Sequence, residues 1–596
     1  MKQANLEVIQ QRFPHVLEML GSVVPVTGKK EEAPVYEQLE RDEIWLQAVA
    51  ELMEDSKILF VYGFGQGLSI ADLLERFPDR WLFIYEPDEE AFKQVISAYD
   101  ISFLLNHPNL YWISVGESQL KLLFYLLCSY MQEKLAFVAL RRYLENEIDI
   151  LRDVREEFME YKADYNTNKY TENRFRKEWT RNYLYHLSET FNTPSIERMF
   201  QSFKISSAVV VSSGPSLTED IEWIKKLSPH SLIIAAGSSV QALIRHGITP
   251  HLSVIMDGHE VNDRIFSNPD TLKSTLFFTS SSYYGISERK ENDKIHAVLK
   301  NDEISQYFLQ KHKNQLLMVP TPSVAGTALQ VAVHLGAEKI IFAGQDLSYP
   351  DQKVYSDGIE HFSADITKSM LDKATQTVEN VQGGYNATDS SFMFMKETIE
   401  GLIQNFEQIT FINSTRHGAV IEGAPFQPME EIYNEVSHAE LEPDAIKQWM
   451  VDHPSILSPE EINPVKDRLS FVQEDLLKVQ SEIRVLRKLM SNIQQLSRTK
   501  PLKCQNMIVE IEERWGEIAN REWFAPLYES LIPLELARFD RMLPTIVTEE
   551  QLPLKAGYIY EYLGTLLVDL EQNTPDLLEM VTEASKRVEG LLVKQA

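Results

Sequence analysis

An α/β protein with mostly parallel sheets and an all-helical C-terminal domain is the fold class this sequence predicts, on three observations. Short apolar, β-branched runs alternate with amphipathic helical stretches over residues 205–425, the pattern of a sheet covered on both faces. An earlier strand, 58–62, runs straight into a glycine-rich turn. Beyond residue 426 the apolar residues recur at helical spacing alone.

The chain has 596 residues, a length that implies about three or four domains. The composition shifts divide it into 1–140, a helical connector 141–204, a central domain 205–425 and a helical domain 426–596. With 58 basic and 88 acidic residues the net charge is −30, which argues against nucleic acid or an anionic membrane as a bulk partner. An anionic small ligand would need a local cradle of donors. Only Cys128 and Cys504 are present, and the opening residues lack the apolar core of a signal peptide, so a reducing cytoplasm is expected. No run approaches the ~18 apolar residues that span a bilayer; the stretch 120–127 reads as buried helix.

Taken in order, residues 1–55 read as polar helices interrupted by Pro25 and Pro34. The strand 58–62 then meets Gly63-Phe64-Gly65-Gln66-Gly67, a helix is expected over 68–77, and a second strand, 81–85, ends in Glu86-Pro87-Asp88. A glycine turn after strand one and an acid after strand two are the Rossmann arrangement for a nucleoside ribose, in its dinucleotide or its methyltransferase variant. A βαβ unit needs a tight turn there whether or not it holds a ligand, so this Rossmann-like domain carries no assigned role. The charged, Tyr-rich 141–204 reads as helices with a solvated face.

The central domain opens with the strand 208–211 and Ser212-Ser213-Gly214-Pro215-Ser216, where Ser216 and Glu219 have capping-box spacing before a helix. Such a turn aims backbone N–H groups at one point, which suits a phosphate. Further strands are expected at 232–236, 252–256, 276–279, 316–319 and 339–343, with helices between them. Small and polar residues gather at the strand ends: Ser213, Gly214, Ser238, Asp257, Thr321, Ser323, Gly344 and Asp346. In an open α/β sheet the ligand crevice lies outside those ends. Asp257-Gly258-His259-Glu260 can be argued as a metal ligand set, but no metal is expected here. In the last domain Val465, Leu469, Val472, Leu476, Val479, Ile483, Leu486, Met490 and Ile493 form a seam of alternating fours and threes. Neighbouring helices of the same chain are its favoured partner, and a homo-oligomer is the alternative.

Four ordered blocks resemble the motility-associated factor (Maf) flagellin glycosyltransferases, whose central domain is MptE-like. They are the 209–217 turn, Thr327-Ala328-Leu329-Gln330, Gly344-Gln345-Asp346-Leu347-Ser348-Tyr349, and Asn413-Ser414-Thr415 with Gly418-Ala419 and Ile421-Glu422-Gly423. The resemblance implies a sialyltransferase-like central domain that transfers a nonulosonic acid, of pseudaminic or legionaminic type, from its CMP-activated donor to Ser or Thr of flagellin. It implies a reaction without metal or further cofactor, in the service of flagellar assembly and motility. The related sialyltransferases carry a Gly-x-Gly-Pro-Ser turn, where Ser212 here replaces the first glycine, and a Gly-x-Asp-x-Tyr block, where the tyrosine here lies one residue farther on.

Carried onto this chain, the resemblance puts Asp346 and Tyr349 in the catalytic set. It puts Pro215, Ser216, Gly326, Thr327, Gln345, Asn413 and Thr415 beside the strand-end residues as contacts to the nucleotide sugar. Backbone N–H groups at Gly214 and Ser216, with the Ser213 or Ser323 hydroxyl, would hold the single phosphate without Mg²⁺. Transfer also needs a base for the acceptor hydroxyl. His361 is the first choice, with His259 and His417 as the others. Two other classes remain: an MptE-type pterin pyrophosphokinase, which would need ATP and Mg²⁺, and a non-catalytic flagellin-binding factor.

Overall fold

The computed structural model describes residues 2–20, 40–130, 134–310, 317–357, 359, 364–442, 444–455 and 458–593. They form two units, Met1–Glu172 and Asn173–Ala596. No helix among the described residues is long and apolar enough to cross a membrane.

In the first unit, β1 (Ile58–Tyr62), β2 (Trp81–Glu86), β3 (Leu110–Val115) and β4 (Leu135–Ala139) form a wholly parallel sheet in the order β3-β2-β1-β4. Every residue of β1 is buried, as expected of a central strand with helices on both sides. The helix Leu68–Arg76 starts after Gly67, whose φ of 88° is open to glycine at little cost. The connector is helical through Arg141–Asn146 and Ile148–Asn192.

The second unit holds a seven-stranded parallel sheet: β5 (Ala208–Val211), β6 (Leu232–Ala236), β7 (Leu252–Ile255), β8 (Thr275–Thr279), β9 (Lys294–Ala297), β10 (Lys339–Ala343) and, after an antiparallel hairpin of β11 (Gln376–Glu379) and β12 (Tyr385–Thr388), β13 (Thr410–Asn413). The order is β13-β10-β5-β6-β7-β8-β9. Alternate residues of β5 feed opposite cores. Ala208 and Val210 pack with the helices Val324–Leu335 and Ser390–Gln404; Val209 and Val211 pack with Leu217–Leu227, Ser239–Arg245 and Met429–Val436. That is a doubly wound α/β layer, the fold class the sequence predicts.

Three details differ from expectation. The strand expected at 316–319 is reduced to one bridge, Met318 to Leu299, and residues 311–316 lie outside the described ones. The helices Met429–Val436 and Ala445–Asp452 bury Met429, Ile432, Val436 and Ile446 in the cores beside the sheet, so the helical bundle proper begins at Pro459 rather than 426. Ser216 does not cap the helix Leu217–Leu227 with its side chain, because another residue claims that hydroxyl. The helical seam packs within the chain: Val465 to Met490 are buried on Pro459–Met490 in one core with Leu567, Leu570 and Leu577 of Gly564–Val593.

Candidate functional site at the carboxyl ends of the central sheet

The chain runs outward from β5 through β9, then returns to the other side of β5 as β10. A ligand crevice is expected at that reversal. The residues there close it instead. Gly214 N–H donates to Gly344 O at 2.9 Å, and a Cβ on Gly214 would strike the Asp346 carboxylate and lie 2.6 Å from Gly344 O. Asp346 accepts from both the Ser216 hydroxyl and the Ser216 N–H, the latter at 3.2 Å. The carboxylate therefore sits at the start of Leu217–Leu227, where a phosphate was expected, and satisfies a donor the helix leaves open. It is 3% exposed, and that burial raises its pKa to about 6 although the Ser216 bonds pull it down.

The same latch absorbs the other blocks. Gln345 N–H donates to Thr415 Oγ1 at 3.0 Å, Thr415 N–H to Asn413 Oδ1 at 3.0 Å, and Asn413 Nδ2 to Ala419 O at 3.1 Å. Ser212 donates its hydroxyl to Gln345 Oε1. His417 N–H reaches Ser216 Oγ at 3.2 Å, while its ring lies between Glu219 and Gln382. Tyr349 is 4% exposed and donates to Asp389 at 2.6 Å, the residue that caps Ser390–Gln404. Asp346, Gln345, Asn413 and Thr415 thus bind the 212–216, 344–346 and 413–419 segments together, and Tyr349 ties the same block to the start of Ser390–Gln404. The cradle expected from the Gly214 and Ser216 amides is a correction: both donors are already used inside the protein.

One strand over, a second set of small and polar residues gathers at the ends of β5, β6 and β7. Ser213 is half-buried, and its hydroxyl has no partner among the described residues. Ser238 follows Gly237, whose Cβ position is 3.5 Å from Val324. Thr321 Oγ1 and Thr327 Oγ1 meet at 2.9 Å and both contact Met256 Sδ, at 3.9 and 3.2 Å. Gly326 leaves room for Thr321, whose Cβ lies 3.0 Å from where a side chain would start. Ser323 caps the helix Val324–Leu335 through Gly326 N–H at 3.2 Å. The N–H groups of Val324 and Ala325 have no acceptor among the described residues. Ser356 N–H bonds Ser213 O at 3.0 Å, which ties the segment of the preceding Tyr355 to the end of β5.

Asp257, just past β7, is exposed, and its side chain has no hydrogen-bond partner among the described residues. Protein packed around it nonetheless raises its pKa above the ordinary carboxylate value. Its charge reaches Tyr355, whose phenol is held neutral mainly by its own burial. Asp257, Ser238, Thr321 and Ser323 stand at the strand and helix ends where the sequence places them. Tyr355 lies on an irregular segment with no periodic signal and is not among the residues the sequence singles out.

Among the described residues no group of three or more His, Cys, Asp or Glu side chains is placed to hold a metal. In the 257–260 stretch, His259 Nδ1 accepts from Val261 N–H at 3.0 Å and the ring stands edge-on to Phe175. His361 lies outside the described residues.

In the first unit the glycine turn is also filled from within. Glu86, 2% exposed, accepts from the N–H groups of Phe64, Gly65 and Asp88 at 2.7, 3.3 and 3.0 Å and from the Tyr143 hydroxyl. The acid expected to meet a ribose instead ties down the turn that would face the phosphates.

Residues 181–352 match the family described as 6-hydroxymethylpterin diphosphokinase MptE-like. No curated protein matches the chain by sequence. Among solved structures, the chain is similar to a Maf glycosyltransferase from Magnetospirillum magneticum AMB-1, with a TM-score of 0.54 and 14% identity over 98% of this chain and 95% of that one. The expected resemblance to the Maf proteins thus holds for the fold from end to end.

Proposed function

We propose that this protein is a glycosyltransferase that moves a nonulosonic acid from its CMP-activated form to Ser or Thr hydroxyls of flagellin. The observation that carries the reading is the likeness of fold to a Maf glycosyltransferase over 98% of the chain, which takes in both sheets and the helical bundle together. The strand ends beside Asp257 add chemistry that fits it. The first N–H groups of Val324–Leu335 lie on the positive end of a helix capped by Ser323, and Ser213 and Ser238 follow the ends of β5 and β6. Together they suit the single phosphate of a CMP-sugar, which leaves with the bonding electrons as positive charge grows on the sugar ring. No cofactor beyond the donor enters this reading.

The test is intact-mass spectrometry of flagellin after incubation with the purified protein and CMP-pseudaminic or CMP-legionaminic acid. Mass increments of one nonulosonate per modified site are expected; unchanged flagellin with both donors counts against the proposal. The match of 181–352 to the MptE-like family favours a second reading, diphosphate transfer from ATP to a hydroxymethylpterin. Mg²⁺-dependent formation of AMP with that pterin, and no flagellin modification, would select it.

A further inference from the structure

We propose that Asp257 is the general base that takes the proton from the acceptor hydroxyl. The inference rests on the glycosyl-transfer reading and names the group that reading lacks. The strand end that carries this carboxylate is braced by its neighbours. β7 ends one residue before Met256, whose Sδ meets the Thr321 and Thr327 hydroxyls, and the Asp257 charge acts on Tyr355, whose neighbour Ser356 bonds Ser213 O. Its own backbone is fixed, since Asp257 O accepts from Tyr283 N–H at 3.0 Å and the neighbouring Gly258 O from Asn182 Nδ2 at 2.9 Å. Gly258 is packed closely, since a Cβ there would lie 2.5 Å from Trp179 Cδ1 and 2.7 Å from Ser281 O. A rigid mount carrying an exposed carboxylate without a partner is the reverse of Asp346, Asp220 and Asp302, which are buried and bonded within the protein.

The two candidate histidines among the described residues, His259 and His417, are less well placed. His259 is turned onto Val261 and Phe175, and His417 is held by Glu219 and Gln382. A carboxyl raised by its surroundings is also a stronger base than an ordinary one. In the transfer step, the acceptor oxygen forms its bond to the anomeric carbon while the bond from that carbon to the CMP phosphate oxygen breaks. The bonding pair goes to the phosphate, and the acceptor proton goes to Asp257 Oδ.

The experiment compares full-length wild type, D257N and D257E with flagellin and a CMP-nonulosonate across pH, with CMP affinity measured by calorimetry. Among the described residues, Tyr355 is the titratable group whose interaction with Asp257 is resolved, and it stays neutral over the range assayed. D257N is expected still to bind CMP but to lose about 10²-fold or more in kcat, together with the acidic limb of the pH profile. D257E keeps a carboxylate and should keep that limb at a lower rate, which also serves if D257N fails to fold. A D257N enzyme of near wild-type kcat, or a D257E profile without the limb, overturns the inference. So does wild-type transfer abolished by EDTA and restored by Mg²⁺, which would make the carboxylate a metal ligand. A wild type that transfers nothing at any pH defeats the glycosyl-transfer reading itself.

Discussion

Replacing Asp346 by asparagine separates the two things this carboxyl does at the start of Leu217–Leu227. Burial raises its pKa to about 6 from an ordinary 3.8, which corresponds to about 3 kcal/mol between the two protonation states. Because the folded value is the higher one, folding favours the protonated form. The stabilisation is complete below about pH 4 and fades as pH climbs through about 6. Asparagine mimics the protonated acid and cannot ionise. D346N should therefore match wild type near pH 4 and exceed it at about pH 8, by up to about 3 kcal/mol less whatever the Ser216 bonds to the charged form return. D346A is the contrast: it strands the Ser216 N–H and hydroxyl in a buried place, at about 1–3 kcal/mol for each, and should be destabilised at every pH. Urea unfolding of the Asn173–Ala596 unit at the two pH values reads both effects as differences from wild type. A D346N protein whose stability follows pH as wild type does, or a D346A protein as stable as wild type, would refute the latch.

Further expectations concern the other packed features. G214A puts a methyl against the Asp346 carboxylate and Gly344 O and should cost about 1–3 kcal/mol or more, visible as a lower thermal midpoint. In the first unit, E86A leaves the Phe64, Gly65 and Asp88 N–H groups and the Tyr143 hydroxyl without their acceptor and should cost at least about 3 kcal/mol. For the same reason NAD and S-adenosylmethionine should leave the thermal midpoint of the wild-type protein unmoved; a dose-dependent rise would show that the glycine turn opens to a ligand. L476A removes a side chain buried in the helical seam and should cost about 2–5 kcal/mol by chemical denaturation.

Those features also show where the sequence was legible. Strands such as Ala208–Val211 and Leu232–Ala236 were readable because a strand buried on both faces is a continuous apolar run. Lys294–Ala297 and Thr410–Asn413 close the sheet's two edges with polar residues among their four, so they carry no such run. In β3, Tyr111 and Trp112 are only partly buried and blur the pattern in the same way. The seam from Val465 to Met490 was readable in full because helical spacing survives whichever partner covers it. The site was legible to the strand end but not to the atom. A glycine turn before a capped helix has the same sequence whether a phosphate or a carboxylate of the same chain fills it. Asp346 lies 130 residues from Ser216, and no local pattern announces that they meet. Three of the four blocks that carry the family resemblance hold one another, the 327–330 block packs on Met256 and Thr321, and the exposed Asp257 stands outside all of them.

The most direct test of the account is a crystal structure of the protein soaked with CMP. The phosphate is expected between Ser213, Ser238 and the start of Val324–Leu335, within reach of Asp257, with the Asp346–Ser216 bonds intact. Nucleotide density that displaces Asp346 from Ser216, or that lies in the Gly63–Gly67 turn (residues 63–67), would contradict it.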